Sequence, residues 1–231
     1  MLKSEGQACL NKAYPFFRDI LINECIYFAS KNKKLVRLNY KSEAYVGVWT
    51  EESVAVSFLT SRDIPFDKVV KMDVDRFATY ELDELFDEQD HIIMNQTMEE
   101  EGHLLNVVAV TQEVMTELDK IRIKEFVQDV AKYDEVYGLT KKGSKQFILI
   151  SENDSDEKKP HIMPVWSIKN RALKVRDEDF EECDLITIEG SVFGEWLDEL
   201  RDDHKAVAID LKTGVVGTIV SAQKLSNELT F

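Results

Sequence analysis

The chain has 231 residues, enough for one large domain or for two of about 115, sizes at which a domain buries most of its apolar surface. Its 44% hydrophobic and 10% aromatic content fits a globular protein, and no apolar run reaches the roughly 20 residues that span a bilayer, so no membrane partner is expected. The net charge of −15 is shared between the halves, residues 1–112 carrying 12 basic and 19 acidic groups; such a field repels phosphate backbones and argues against nucleic-acid binding.

The first residues, Met1 to Gly6, have no apolar core and no small-residue cleavage site, so the expected location is the cytoplasm. Cys9, Cys25 and Cys183 form no CxxC pair, and an odd count argues for reduced thiols over a disulfide framework.

In chain order, Leu10, Tyr14, Phe17 and Leu21, with Phe16 and Ile20 beside them, repeat at the helical period. Proline fits a first turn, so Pro15 sets the helix start near Tyr14 and the helix runs to about Asn23. Ile26 to Phe28, Leu35 to Leu38 and Tyr45 to Trp49 read as short strands, the first two joined by the basic turn Ser30 to Lys34. Val54 to Leu59 fits helix or strand. Val69 to Val74 alternates like a strand, and Asp75 is expected to cap a helix through Asp90 with Phe77, Leu82, Leu85 and Phe86 facing inward. His91 to Met94 and Leu104 to Val110 read as strands, followed by a helix opening at Thr111.

Beyond it, Ile121 to Ala131 is helical, Glu135 to Leu139 and Gln146 to Ile150 are strands, and Lys141 to Lys145 is the turn between them. Ser151 to Pro160 is polar and turn-rich, which predicts a mobile loop. After Trp166 an irregular acidic link leads to the strand Asp184 to Ile188. Ser191 is placed as the cap of a helix that buries Val192, Phe193, Trp196, Leu197 and Leu200. Ala206 to Ile209 and Thr218 to Ser221 are strands, and a short helix closes the chain around Asn227 to Leu229.

This order occurs twice. Phe16 matches Phe126, Ile20 matches Val130 and Ile26-Tyr27 match Val136-Tyr137, all offset by 110, while Trp49 and Trp166 are offset by 117 because the Ser151 loop intervenes. The expected fold class is α+β, as two similar fused domains, residues 1–118 and 119–231, each a small and mainly antiparallel sheet flanked by helices. A nearly continuous helical passage from Glu113 to Ala131 would make them a rigid pseudo-dimer within the chain.

Pro164-Val165-Trp166-Ser167, then Phe193, Trp196 and Leu197, then Ala206 to Ile209 and a closing helix after Val220-Ser221, give residues 121–231 a recognisable outline. It resembles the uncharacterised bacterial family called domain of unknown function 2750. The resemblance implies structural roles for these residues and brings no established activity, cofactor or substrate. The first half is a more distant version, with Gly47 where the family places proline, Thr50 for serine and Glu81 for the helix tryptophan.

Motifs with chemical meaning are weak. Gly138 to Lys145 has Ser-Lys where a phosphate loop needs Lys-Ser or Lys-Thr opening a helix, so it reads as a hairpin turn. Asn153 to Asp156 lacks the glycine and bidentate glutamate of a calcium loop. His91, His103, His161 and His204 share no ligand spacing, and Ser167 near His161 has no nucleophile elbow around it. No catalytic, cofactor or metal residue is therefore assigned, and both strand-end tryptophans read as core.

The acidic helices remain. Asp202, Asp203 and Asp90 oppose the dipole of the helix end they occupy, so helix stability does not explain them. Asp177, Glu178, Asp179, Glu181, Glu182, Glu195, Asp198, Glu199, Asp202 and Asp203 are accordingly the candidate surface for a basic protein partner, in an immunity-, inhibitor- or regulator-like role without catalysis. The competing expectation is an enzyme or small-molecule binder with a site in the cleft between the two copies, using Trp49, Trp166, His161 or Ser167.

Overall fold

The computed structural model describes residues 14–40, 43–78, 85–86, 90–150, 161–203, 205–214 and 217–229. The chain divides into two compact units, Met1–Leu118 and Asp119–Phe231, each an α+β arrangement built on its own sheet.

The first unit opens with α1 (Tyr14–Asn23), which carries Pro15 in its first turn and buries Phe16, Phe17 and Ile20. Next come β1 (Cys25–Lys31), β2 (Lys34–Leu35), β3 (Arg37–Tyr40) and β4 (Glu43–Trp49). The ambiguous stretch after Trp49 is a helix, α2 (Glu52–Ser61), burying Ala55, Phe58 and Leu59. Then follow β5 (Lys68–Asp73), the helical turn α3 (Val74–Arg76), β6 (His91–Met94) and β7 (His103–Asn106).

β1 pairs antiparallel with β5 and with β4, β4 pairs parallel with β6, and β6 pairs antiparallel with β7. Because successive strand residues point to opposite faces, Ile26, Phe28, Val46, Val48, Ile92 and Met94 join α1 on one side. Ala29, Tyr45, Trp49 and Ile93 join α2 on the other.

α4 (Val107–Tyr133) runs without a break from the first unit into the second. The second unit continues with β8 (Glu135–Lys141), β9 (Ile162–Trp166), α5 (Lys169–Asp179), β10 (Cys183–Glu189), α6 (Gly190–Asp202), β11 (Ala206–Ile209), β12 (Thr218–Ser221) and α7 (Ala222–Glu228). Its sheet order is β10-β8-β9-β11-β12, again with one parallel pair, β9 with β11. This is the order β5-β1-β4-β6-β7 of the first unit with the same strand directions. Met163, Val165, Val207 and Ile209 face α4, α6 and α7, whereas Leu139, Ile162, Trp166 and Ala208 face α5.

Several boundaries differ from the sequence expectation. The link after Trp166 is not irregular but contains the helix α5, and the stretch after Trp49 that fitted helix or strand is the helix α2. The cap of the turn at Val74 is Asp73, whose carboxylate accepts from the backbone N–H groups of Asp75 and Arg76; Asp75 itself is buried inside the turn. Residues 79–84 and 87–89 of the helix expected there lie outside the described residues. α6 starts after Glu189, and the Ser191 hydroxyl donates to the Glu189 carboxylate instead of capping the helix. Leu104 to Val110 is not one strand: β7 stops at Asn106, whose side chain accepts from the Ala109 N–H, and α4 begins at Val107. Thr111 lies within that helix and returns its hydroxyl to the Val107 carbonyl. Gln146 to Ile150 makes single bridges, Thr140 with Phe147 and Ile150 with Ile162, in place of a full strand. The Ser151 to Pro160 loop lies outside the described residues.

Candidate functional site

Trp166 is fully buried and its indole Nε1–H donates to the Leu211 carbonyl at 3.1 Å. The bond ties the end of β9 to the segment after β11, and α5 packs over the ring with Ala172 and Val175. The first unit does the same. Trp49 is 1% exposed, its Nε1–H donates to the Gln96 carbonyl at 2.8 Å, and Phe58 of α2 lies against its ring. Both tryptophans are core groups and neither lines a cleft.

Ser167, the next residue, is 4% exposed. Its hydroxyl lies 2.9 Å from Asp129 Oδ2 on α4 and 3.0 Å from Asp210 Oδ2 after β11, while its backbone N–H donates to Asp210 Oδ1 at 2.9 Å. Arg171 Nη1 approaches Asp210 at 3.4 Å from the first turns of α5. Burial is the largest influence on Asp210 and pushes its carboxyl above the usual aspartate value; the Ser167 N–H, Arg171 and the Ser167 hydroxyl act downward and Asp129 acts upward. Asp210 has φ +46°, a left-handed conformation that Asp and Asn tolerate better than most residues. His161 precedes β9 and Ser167 follows it, so the two stand at opposite ends of the strand and do not form a nucleophile and base.

The corresponding place in the first unit is neutral. Asn95, at φ +48°, accepts the Thr50 N–H on Oδ1 at 2.9 Å, and its Nδ2 lies 3.2 Å from Thr50 Oγ1. Close to this corner a groove of about 820 Å³ is lined by Cys25, Tyr27, Thr50, Glu52, Ser53, Ser57 and Lys71, among others. Desolvation, and then Cys25, hold the Tyr27 phenol above its ordinary value. In the second unit Tyr137 donates to Glu135, and that bond, followed by burial, pushes its phenol up to about 12.

All ten acidic candidates are exposed. Asp177 pairs with Arg176, Asp198 and Asp202 with Arg201, and Asp203 with Lys205, while Asp179 accepts the Gly214 N–H. The side chains of Glu178, Glu181, Glu182, Glu195 and Glu199 have no hydrogen-bond or ion-pair partner among the described residues. α5 and α6 pack on opposite faces of the sheet, so the acids do not share one face. They do share one end. α5 leads into the start of β10, which pairs with the end of β8, and α6 leads to the start of β11, which pairs with the start of β9. The acids of 177–182 therefore lie by the start of the outer strand β10, and those of 198–203 by the start of β11, three strands along at the same end of the sheet. Lys141, Lys142 and Lys145 of the β8 hairpin turn lie at that end too and offset part of its charge.

Cys25 is buried and Cys183 half-buried, both as free thiols; burial first, then Asp184 and Glu182, raise the Cys183 thiol. Among the described residues no three His, Cys, Asp or Glu side chains are grouped to hold a metal, and no helix is long and apolar enough to cross a membrane. Cys9, His204, Glu81, Asp83, Glu84, Asp87 and Glu88 lie outside the described residues.

Asp129 and Asp210 were not singled out by the sequence. The one signal is an Asx residue directly after the same short strand in both halves, Asn95 after Met94 and Asp210 after Ile209.

No functionally curated protein matches the chain in sequence. Among solved structures, Anabaena Tic22, titled as a protein of protein transport, is similar over 79% of this chain and 86% of its own, at 11% identity and a TM-score of 0.21. That score carries no argument about fold or function. Residues 123–229, within the second unit, match the family model described as "Protein of unknown function (DUF2750)".

Proposed function

We propose that the protein is a non-enzymatic cytoplasmic binding protein that takes a basic protein partner at the acidic end of its second unit, as an inhibitor, an immunity protein or a regulator. The observation that carries this reading is the placement of exposed carboxylates, about half of them without a partner among the described residues, at the end of the sheet where β10 and β11 start. Carboxylates at the last turn of α6 oppose its dipole; Asp198 and Asp202 are paired with Arg201 and Asp203 with Lys205, and a cationic partner would take the unpaired Glu199. The free thiols suit a reducing compartment. We also read the first unit as a divergent copy of the same domain, supported by the shared strand order, the paired tryptophan bonds and the Thr50–Asn95 counterpart of Ser167–Asp210.

Calorimetric titration with a lysine- and arginine-rich peptide at low and high salt tests the reading. Binding is expected to weaken about tenfold or more as salt screens the charges. It is expected to weaken comparably in the variant E178Q/E181Q/E182Q/E199Q, but not when Glu51, Glu52, Glu99 and Glu100 of the first unit become glutamine. Equal binding by both variants, or none at low salt, contradicts it. A second reading, a small-molecule binder, is favoured by the groove beside Cys25, Tyr27 and Lys71.

A further inference from the structure

We propose that Asp129, Ser167 and Asp210 form a half-buried proton-holding site in which Asp210 keeps its proton to a higher pH than an ordinary aspartate and donates to the Ser167 hydroxyl, which in turn donates to Asp129. A serine hydroxyl has a single hydrogen, yet Ser167 Oγ lies 2.9 Å from one carboxylate oxygen and 3.0 Å from another, and the residue is 4% exposed. With both acids ionised, one oxygen would face the hydroxyl with no hydrogen between them, or two anions would share one hydrogen. A proton on Asp210 removes the conflict and leaves each contact with its own donor.

The first unit supplies an internal comparison. Asn95 Nδ2 donates to Thr50 Oγ1 at 3.2 Å and Asn95 Oδ1 accepts the Thr50 N–H at 2.9 Å. A protonated Asp210 reproduces this amide pattern, with one oxygen as donor to Ser167 Oγ and the other accepting the Ser167 N–H at 2.9 Å. The first-unit counterpart of Asp129, at the offset of 110, is Asp19, whose carboxylate is engaged by Arg18 at 2.8 Å. The neutral corner there needs no proton.

Among the described residues the charged groups that face Asp210 are Asp129 from α4 and Arg171 from α5, while Lys132 acts on Asp129 from one turn along α4. Arg171 favours the ionised form, but at 3.4 Å and 54% exposed it is largely screened. The Asp210 side chain is 14% exposed, and two acids meeting at one site ionise in sequence, not together. The site is therefore a pH-sensitive joint between α4, the β9–α5 corner and the segment after β11. An unfolded chain releases this proton at the ordinary aspartate value of about 3.9 and the folded chain at a higher one. The stabilisation is complete below the unfolded value and is lost as pH rises through the folded value.

Carbon-13 carboxylate NMR of the full-length protein is the test. One aspartate is expected to titrate clearly above the ordinary value. Its signal should vanish in D210N and move toward the ordinary value in D129N, where no anion faces it. D210N should match the wild-type melting temperature near pH 4 and exceed it at pH 8. The proposal is overturned if every aspartate titrates at or below the ordinary value, or if D210N lowers the melting temperature equally at both pH values.

Discussion

Replacing Trp166 with alanine is expected to cost the second unit about 3–5 kcal/mol, the range for removing a large buried aromatic. Two losses combine. The fully buried ring leaves a cavity between β9 and α5, and the Leu211 carbonyl loses its indole donor in a site water does not reach. Against a typical total of about 5–15 kcal/mol, that removes a large share of the margin. Trp166→Phe keeps most of the apolar contact and forfeits the hydrogen bond, so it should cost about 1–3 kcal/mol. Urea unfolding followed by far-ultraviolet circular dichroism measures both. A loss below about 1 kcal/mol for Trp166→Ala, the size of an ordinary surface or conservative change, would mean that the ring is not the packing centre.

The second large effect is expected at Gly47. A β-carbon built there would lie 2.2 Å from Trp49 Cη2, because the indole folds back across the strand and occupies the space. The ring has little freedom to yield: it is 1% exposed, held by Gln96 and flanked by Phe58. Gly47→Ala should therefore cost about 1–3 kcal/mol through overpacking, more than alanine recovers through its better strand propensity. Gly47→Pro, which copies Pro164 of the second unit, should cost more still, since its ring adds further atoms at the same point. Unfolding followed by intrinsic fluorescence is the measurement, and an unchanged or raised midpoint in Gly47→Ala would show that the indole can move aside. Glycine at 47 is thus tied to the pose of its own tryptophan.

The sequence was legible where a single period or a single aromatic dominates. α1 begins and ends where Pro15 and the Phe16–Phe17–Ile20 stripe put it, and the strand-end tryptophans are core as their size demands. It was illegible where packing overrides local signals. α5 buries Ala172 and Val175 amid charged residues, a stripe too narrow to announce a helix. In α2 the run Val54-Ala55-Val56-Ser57-Phe58-Leu59 is short and mostly apolar, which fits helix or strand equally. Capping residues also misled: Asp75, Ser191 and Thr111 each have cap chemistry, but the backbone turned earlier, at Asp73, Glu189 and Asn106.

The candidate site divides along the same line. Exposed carboxylates could be named from composition and helix phase, whereas their separation onto two faces and reunion at one end follow from strand order. The proton-holding corner joins residues 38 and 43 positions from Ser167, and no local pattern links them. Its trace is the Asx that follows a short buried strand in each half.

The account rests on the second unit being a self-contained fold organised around Trp166 and the Ser167 corner. Urea unfolding of residues 119–231 expressed alone tests this most directly. A single cooperative transition, its slope in proportion to the surface a domain of this size exposes, is the predicted result. A broad, non-cooperative loss of structure, with the fluorescence of Trp166 and Trp196 already that of exposed indoles in buffer, would contradict it.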